Sequence, residues 1–239
     1  MVLAKESNPE NYIHFNHFFT RELKPEVRPV AQERDVIVCP IDGYISQIGK
    51  INSGKIFQAK NRSYDLDTLL AGDNDMASRF KDGLFATFYL SPRDYHRIHM
   101  PRDGELIKMI YVPGRLFSVN THTTRVINNL FARNERVISL FDTDIGPMAV
   151  IMVGAMLVSS METVWASEIT PAKKREITSQ SYLEQNKKIQ LRRGQEMGRF
   201  NMGSTVILLL GTGAVVWPST LYPGSNIIMG SCLGKIKQG

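Results

Sequence analysis

The sequence predicts a β-dominated α+β fold: a single compact domain of mainly antiparallel strands, with one or two helices near the N-terminus. Three observations predict it. Short apolar, β-branched runs recur between residues 36 and 210, bounded by turn residues rather than organised in helical periods. No strand–helix–strand alternation is present, which argues against a doubly wound parallel sheet. The 239 residues contain no clear internal repeat and no Pro-, Gly- or Ser-rich linker that would split them, and a chain of this length can bury a substantial core.

The elements follow in chain order. Tyr12, Phe15, Phe18 and Phe19 fall at helical spacing and predict a short amphipathic helix ending near residue 20. Packing on the core is the first expectation for this stripe, ahead of membrane insertion. Lys24-Pro25 and Arg28-Pro29 then call for extended chain, because a residue before proline avoids the helical region. Strands are predicted at 36–38 and 44–51, with Asp42-Gly43 as the turn between them. Leu66, Leu69, Leu70, Met76 and Phe80 predict a helix over 66–80, capped by Asp65 or Ser63. Further strands are expected at 84–90, 106–112, 136–141, 148–158, 162–169 and 205–210. Residues 172–193, rich in lysine and arginine, read as a loop or an exposed hairpin.

The formal net charge of +6 favours anionic partners. The absence of an Arg/Gly-rich tract and of zinc-finger spacing argues against nucleic acid. Cys39 and Cys232 lie far apart and read as reduced thiols. The N-terminus, with Glu6 and Glu10, lacks a signal-peptide pattern. The most apolar runs, 148–158 and 206–217, fall short of the ~18–20 residues that span a bilayer. Any action on a membrane is therefore expected from its surface.

Three clusters could carry chemistry. Tyr-Leu-Ser-Pro-Arg-Asp-Tyr-His-Arg-Ile-His-Met-Pro (89–101) sets His96 and His99 three residues apart after a strand. Such a pair could bind a metal, act as separate acid and base, or be structural. Pro92 and Pro101 and the lack of an HExxH pattern weaken the metal reading. In Pro-Ile-Asp-Gly (40–43), Asp42 is by itself an ordinary turn former. Gly-Gln-Glu-Met-Gly-Arg-Phe-Asn-Met-Gly-Ser-Thr (194–205) runs straight into an apolar strand. It is neither a nucleophile elbow nor a P-loop, and alone it could be a simple strand entry.

Together these clusters resemble the phosphatidylserine decarboxylase family, in its bacterial and mitochondrial type. The resemblance runs from Phe-Asn-His-Phe-Phe (15–19) to Val206-Ile207. It takes in Pro-Gly-Arg-Leu-Phe-Ser-Val-Asn (113–120), Phe-Ala-Arg-Asn-Glu-Arg-Val (131–137) and Val-Gly-Ala (153–155). Each motif is weak alone, but their order and spacing are specific. The family's Leu-Gly-Ser-Thr cleavage signature stands here as Met202-Gly203-Ser204-Thr205. Met for Leu is a volume-conserving change that leaves the reacting residues intact.

The resemblance implies a proenzyme that cuts itself between Gly203 and Ser204 and turns Ser204 into a covalent pyruvoyl group. In that reading His99 is the base for the Ser204 hydroxyl, oriented by Asp42. The hydroxyl attacks the Gly203 carbonyl, and the resulting ester breaks as Ser204 loses its α-proton. The dehydroalanine then hydrolyses, releasing ammonia. Residues 1–203 form the larger β chain and 204–239 the smaller α chain, which stay associated. The mature enzyme would convert phosphatidylserine to phosphatidylethanolamine, with His96 returning a proton to the substrate's Cα and no metal required. It would sit peripherally on anionic lipid at the cytoplasmic face of a bacterial inner membrane, with a homodimer left open. A serine hydrolase built on Asp42, His99 and Ser204, and a non-enzymatic β-barrel binding module, are the competing readings. Both leave the chain intact.

Overall fold

The computed structural model describes residues 2–59, 62–156, 160–170, 175–184, 188–201 and 204–237. Every strand ladder among them is antiparallel, as the sequence predicts. The chain opens with helix α1 (Phe15–Phe19), closed at Thr20, whose N–H bonds back to the Asn16 carbonyl. Strands β1 (Val36–Val38) and β2 (Gly43–Lys50) follow, then the hairpin β3 (Lys55–Ala59) and β4 (Arg62–Asp65).

The helix expected over 66–80 is two pieces, α2 (Leu66–Leu69) and α3 (Asn74–Ser78). Ala71 and Gly72 are left-handed, with φ of 61° and 79°, which a continuing helix cannot accommodate. Asp73 then caps α3 by accepting the Met76 N–H at 3.0 Å. Leu66, Leu69, Leu70, Met76 and Phe80 are all buried. The apolar pattern thus marked the core face correctly and missed the break.

Next come β5 (Leu84–Leu90), β6 (Arg97–His99) and β7 (Gly104–Val112). Two mid-chain helices that periodicity did not flag follow: α4 (Thr121–Val126), capped by Asn120, and α5 (Leu130–Arg133). Strands β8 (Arg136–Thr143) and β9 (Gly146–Val153) succeed them; residues 157–158 of the predicted strand lie outside the described residues. The strand expected at 162–169 is a hairpin of β10 (Ser160–Thr163) and β11 (Ser167–Glu168). Within the basic segment, β12 (Thr178–Ser181) and β13 (Gln190–Leu191) both dock on β7. The chain ends with β14 (Glu196–Asn201), β15 (Ser204–Leu210), β16 (Val215–Val216), β17 (Asn226–Ile227) and β18 (Cys232–Ile236).

The main sheet runs β12-β7-β8-β9-β15-β5-β2-β17, with β15 well inside it. Val206 through Leu210 are completely buried. A second sheet runs β11-β10-β14-β6. The two sheets share three stretches of chain in the same order: β9, β15 and β5 in one continue as β10, β14 and β6 in the other.

The registers do not match across this junction. From Thr205↔Val153 to Asn201↔Ser160 the central chain moves four residues and its neighbour seven. From Ser204↔Leu90 to Arg199↔Arg97 it moves five while the other neighbour moves seven. Both flanking chains therefore carry surplus residues at one level, between the last described residue of β14 and Ser204. One surplus segment is 91–96, which contains His96. The other begins with Gly154, whose carbonyl accepts from Asn134 Nδ2 at 2.8 Å. Asn134 also bonds Phe117 in both directions, so the motifs at 113–120, 131–137 and 153–155 meet there.

Candidate active site

His99 lies on β6 opposite Glu196 of β14, next to a bulge in that ladder. Its Nδ1 is 2.8 Å from the Gly194 carbonyl oxygen and its Nε2 is 3.0 Å from the Tyr95 hydroxyl. A carbonyl can only accept, so Nδ1 carries the proton and Nε2 is the bare nitrogen, accepting from Tyr95. Gly194 can present its carbonyl this way because it is glycine: its φ is +78°, and a Cβ there would lie 2.5 Å from Val30. Burial lowers the His99 pKa, opposed by the bond to Gly194 and the charge of Glu196.

Asp42 stands near this imidazole without touching it. Its carboxylate accepts Arg28 Nε at 2.9 and 3.0 Å, an Arg28 Nη2 bond, and the Met229 N–H at 2.8 Å. The orienting contact that the resemblance assigns to Asp42 is thus made in this structure by the Gly194 carbonyl. Asp42 acts on His99 through its charge, which favours the imidazolium.

His96 is completely buried. Its Nδ1 donates to the Asp94 carbonyl at 2.8 Å, which leaves Nε2 as an acceptor with no hydrogen-bond partner among the described residues. Burial pushes its pKa down to about 4, against the bond to Asp94. The Phe19 ring covers the imidazole at a centroid distance of 4.0 Å. An unpaired polar nitrogen in a sealed position is costly, and such atoms call for an explanation.

Three contacts tie the N-terminal segment to this region: Phe19 on His96, Arg28 on Asp42, and Arg97, whose Nε–H donates to the Thr20 carbonyl at 2.8 Å. On the other flank, Glu162 accepts from Arg199 at 2.8 Å and from Asn201 at 2.7 Å, which fixes the end of β14. Gly198 allows this close pairing, since a Cβ there would lie 2.4 Å from the Glu162 carbonyl oxygen.

The structure thus gathers His96 and His99 around the junction and holds Asp42 nearby in an ion pair. Ser204 heads β15, its backbone paired with Leu90. Gly203 lies outside the described residues. Sequence reasoning missed Tyr95, Gly194 and Arg28. The first two sit inside motifs already singled out; Arg28, a charge before a proline, looks like surface. Close by, an open groove of about 1130 Å³ is lined by Tyr44, Ile45, Phe57, Tyr89, Val119 and Arg125, among others. Tyr89 pairs with Thr205, one residue from the head of β15.

Two buried histidines, one with an unpaired ring nitrogen, beside an interrupted three-strand junction are the arrangement expected of an acid–base enzyme. Comparison with known proteins gives the family. The family described as phosphatidylserine decarboxylase matches residues 15–235. A phosphatidylserine decarboxylase proenzyme of Saccharophagus degradans is 51% identical over 237 residues, covering 99% of this chain and 82% of the relative. Those of Pseudomonas aeruginosa (strain LESB58) and Methylococcus capsulatus are 54% and 53% identical, covering 98% and 97% of this chain and 81% and 80% of the relatives. This chain belongs to the phosphatidylserine decarboxylase family.

Proposed function

We propose that the chain is the precursor of a pyruvoyl-dependent enzyme that converts phosphatidylserine to phosphatidylethanolamine after cutting itself between Gly203 and Ser204. The observation that carries this is the junction itself. Surplus residues on both flanking chains fall at one level, where the central chain passes from Asn201 to Ser204, and one surplus segment holds His96. An uninterrupted ladder would leave the peptide bond there locked in backbone pairing and out of reach.

In the first reaction, His99 Nε2 takes the Ser204 hydroxyl proton as the oxygen attacks the Gly203 carbonyl carbon. The Gly194 carbonyl keeps the imidazole in the tautomer with that nitrogen bare, and the Asp42 charge stabilises the imidazolium formed. The described residues fit a pyruvoyl group at 204: the position heads a buried central strand and pairs with Leu90, and the segment that follows Leu90 carries a histidine with an unused ring nitrogen. Such a group supplies a carbonyl that withdraws electrons from the carbon losing carbon dioxide. His96 at rest is an acceptor, so it must first take up a proton before it can return one to the substrate. An anionic headgroup beside it would favour that charged form. The groove supports a lipid substrate: aromatic and aliphatic walls stand beside polar groups such as Gln47 and Thr121, with Arg125 the charged lining residue among the described ones.

Cleavage makes pieces 1–203 and 204–239, the second 36 residues long. Burial of Val206 to Leu210 contributes roughly 10 kcal/mol, enough to keep the pieces together. Denaturing mass spectrometry tests the reading: two masses are expected, the smaller piece lacking a free amino group. An intact chain that decarboxylates lipid would overturn it.

No helix among the described residues is long and apolar enough to cross a membrane. We place the enzyme on the surface of anionic lipid, at the cytoplasmic face of a bacterial inner membrane. Ile13 and Phe15 are 88% and 60% exposed, and the Phe15 ring packs on Phe19, which covers His96, offering an apolar foot. Of the basic residues, Lys173 and Lys174 lie outside the described residues. Each Lys or Arg near such a surface contributes roughly 1 kcal/mol, screened by salt. Binding to phosphatidylserine vesicles should therefore weaken as salt rises and weaken further when Lys173, Lys174 and Arg175 are neutralised together. Sedimentation across a salt series reads this. Salt-insensitive binding, unchanged in the triple variant, would move the contact to the Ile13–Phe15 side.

A further inference from the structure

We propose that Tyr95 is a positioning residue for self-cleavage, its hydroxyl holding His99 as a neutral imidazole with Nε2 in a fixed direction. The inference rests on the reading of His99 as the base. Tyr95 is 6% exposed and packs its ring on the imidazole at a centroid distance of 5.7 Å. Its hydroxyl lies 3.0 Å from Nε2, and the opposite nitrogen is 2.8 Å from the Gly194 carbonyl. The ring is therefore pinned at both ends, by an acceptor on one side and a donor on the other. One contact alone would fix the tautomer and leave the ring free to tilt. Two fix both.

The electrostatic surroundings make this clamp matter. Glu196 and Asp42 favour the imidazolium, and Arg97 opposes it. Arg97 is itself paired with Glu196 and Glu22, and Arg28 is locked on Asp42. A tyrosine hydroxyl donating to Nε2 bonds the neutral ring; it could turn to accept from a protonated Nε2, but its own proton would then have no acceptor among the described residues, so the buried arrangement favours the neutral ring. Tyr95 thus works with burial against the two carboxylates to keep His99 able to accept a proton. Nε2 has one lone pair, so Tyr95 must give it up when Ser204 delivers its proton. The hydroxyl holds the nitrogen ready and then yields.

The test uses the full chain with Tyr95→Phe, which keeps the ring and removes the donor. In the uncleavable Ser204→Ala background, His99 should titrate about half a unit to one unit higher by NMR, with His96 as internal control. In the cleavable chain, self-cleavage at neutral pH should slow about fivefold to tenfold. The acid limb of its pH profile should move up with the His99 titration. Slower cleavage with an unmoved titration would mean mere packing and would overturn the proposal, as would no change in either. If Tyr95→Phe does not fold, the nitrogen-15 shifts of His99 in Ser204→Ala decide: a proton on Nε2 in the neutral ring sinks the idea. Failure of the parent reading looks different, since the wild-type chain would then never cleave.

Discussion

Ser204→Ala should leave the protein a single 239-residue chain with no measurable decarboxylase activity. In the proposed mechanism the substitution deletes the oxygen that attacks the Gly203 carbonyl, and with it the source of the pyruvoyl group. Loss of an enzyme's nucleophile costs on the order of 10⁶-fold in turnover; here the electron-withdrawing group is also never made, so residual activity should be nil. Folding should be spared. Residue 204 begins β15 and is anchored by backbone pairing with Leu90, which alanine preserves. The expected cost is within about 1 kcal/mol, the span of strand propensities. Electrophoresis under denaturing conditions, thermal melting and a phosphatidylethanolamine assay together read this out. A serine hydrolase built on the same residues would also lose activity, but its wild-type form would remain one chain. Two bands for wild type and one for Ser204→Ala separate the readings.

The two histidines should fail in different steps. His99→Ala should block cleavage, because it removes the ring nitrogen that Tyr95 and Gly194 hold in place to take the Ser204 proton. His96→Ala should cleave at a normal rate and then turn over lipid about 10²- to 10⁴-fold more slowly, the usual contribution of a positioned proton donor. The environments support this division. His99 is clamped between Tyr95 and Gly194 with carboxylates nearby, which suits a base that must hold a proton briefly. His96 is sealed under Phe19 with an unused nitrogen, which suits a group that acts once substrate has entered. Asp42→Asn should also impair cleavage, but it strips Arg28 of its partner in a poorly exposed position. Arg28→Met combined with Asp42→Asn removes that unpaired charge. If the double variant folds well and still fails to cleave, the Asp42 charge itself is required. Cleavage failing in His96→Ala while His99→Ala matures normally would reverse the assignment.

The sequence by itself determined the fold class, because its short, β-branched apolar runs are bounded by turn residues at strand length and lack helical periods, and most strand centres fell where the runs lie. It also determined the family, because the motifs from 15 to 207 depend on order and spacing along the chain, which no folding is needed to read. It could not see the break at Ala71-Gly72, since a helix pattern survives a two-residue interruption whenever both halves bury the same face. Nor could it see what holds the histidines. Tyr95 reaches His99 four residues on, Gly194 reaches it from 95 residues away, and Arg28 takes Asp42 across 14. Each of these contacts depends on which strands become neighbours and in what register. Register follows from the pairing of whole sheets, not from any local run. The surplus residues on both sides of the central chain just before Ser204 are the clearest case. Residues 91–96 stood out in sequence only for their histidine motif and 154–158 read as the end of a strand, and only the pairing of β5, β9 and β15 on one side and β6, β10 and β14 on the other shows that both chains are interrupted at one level.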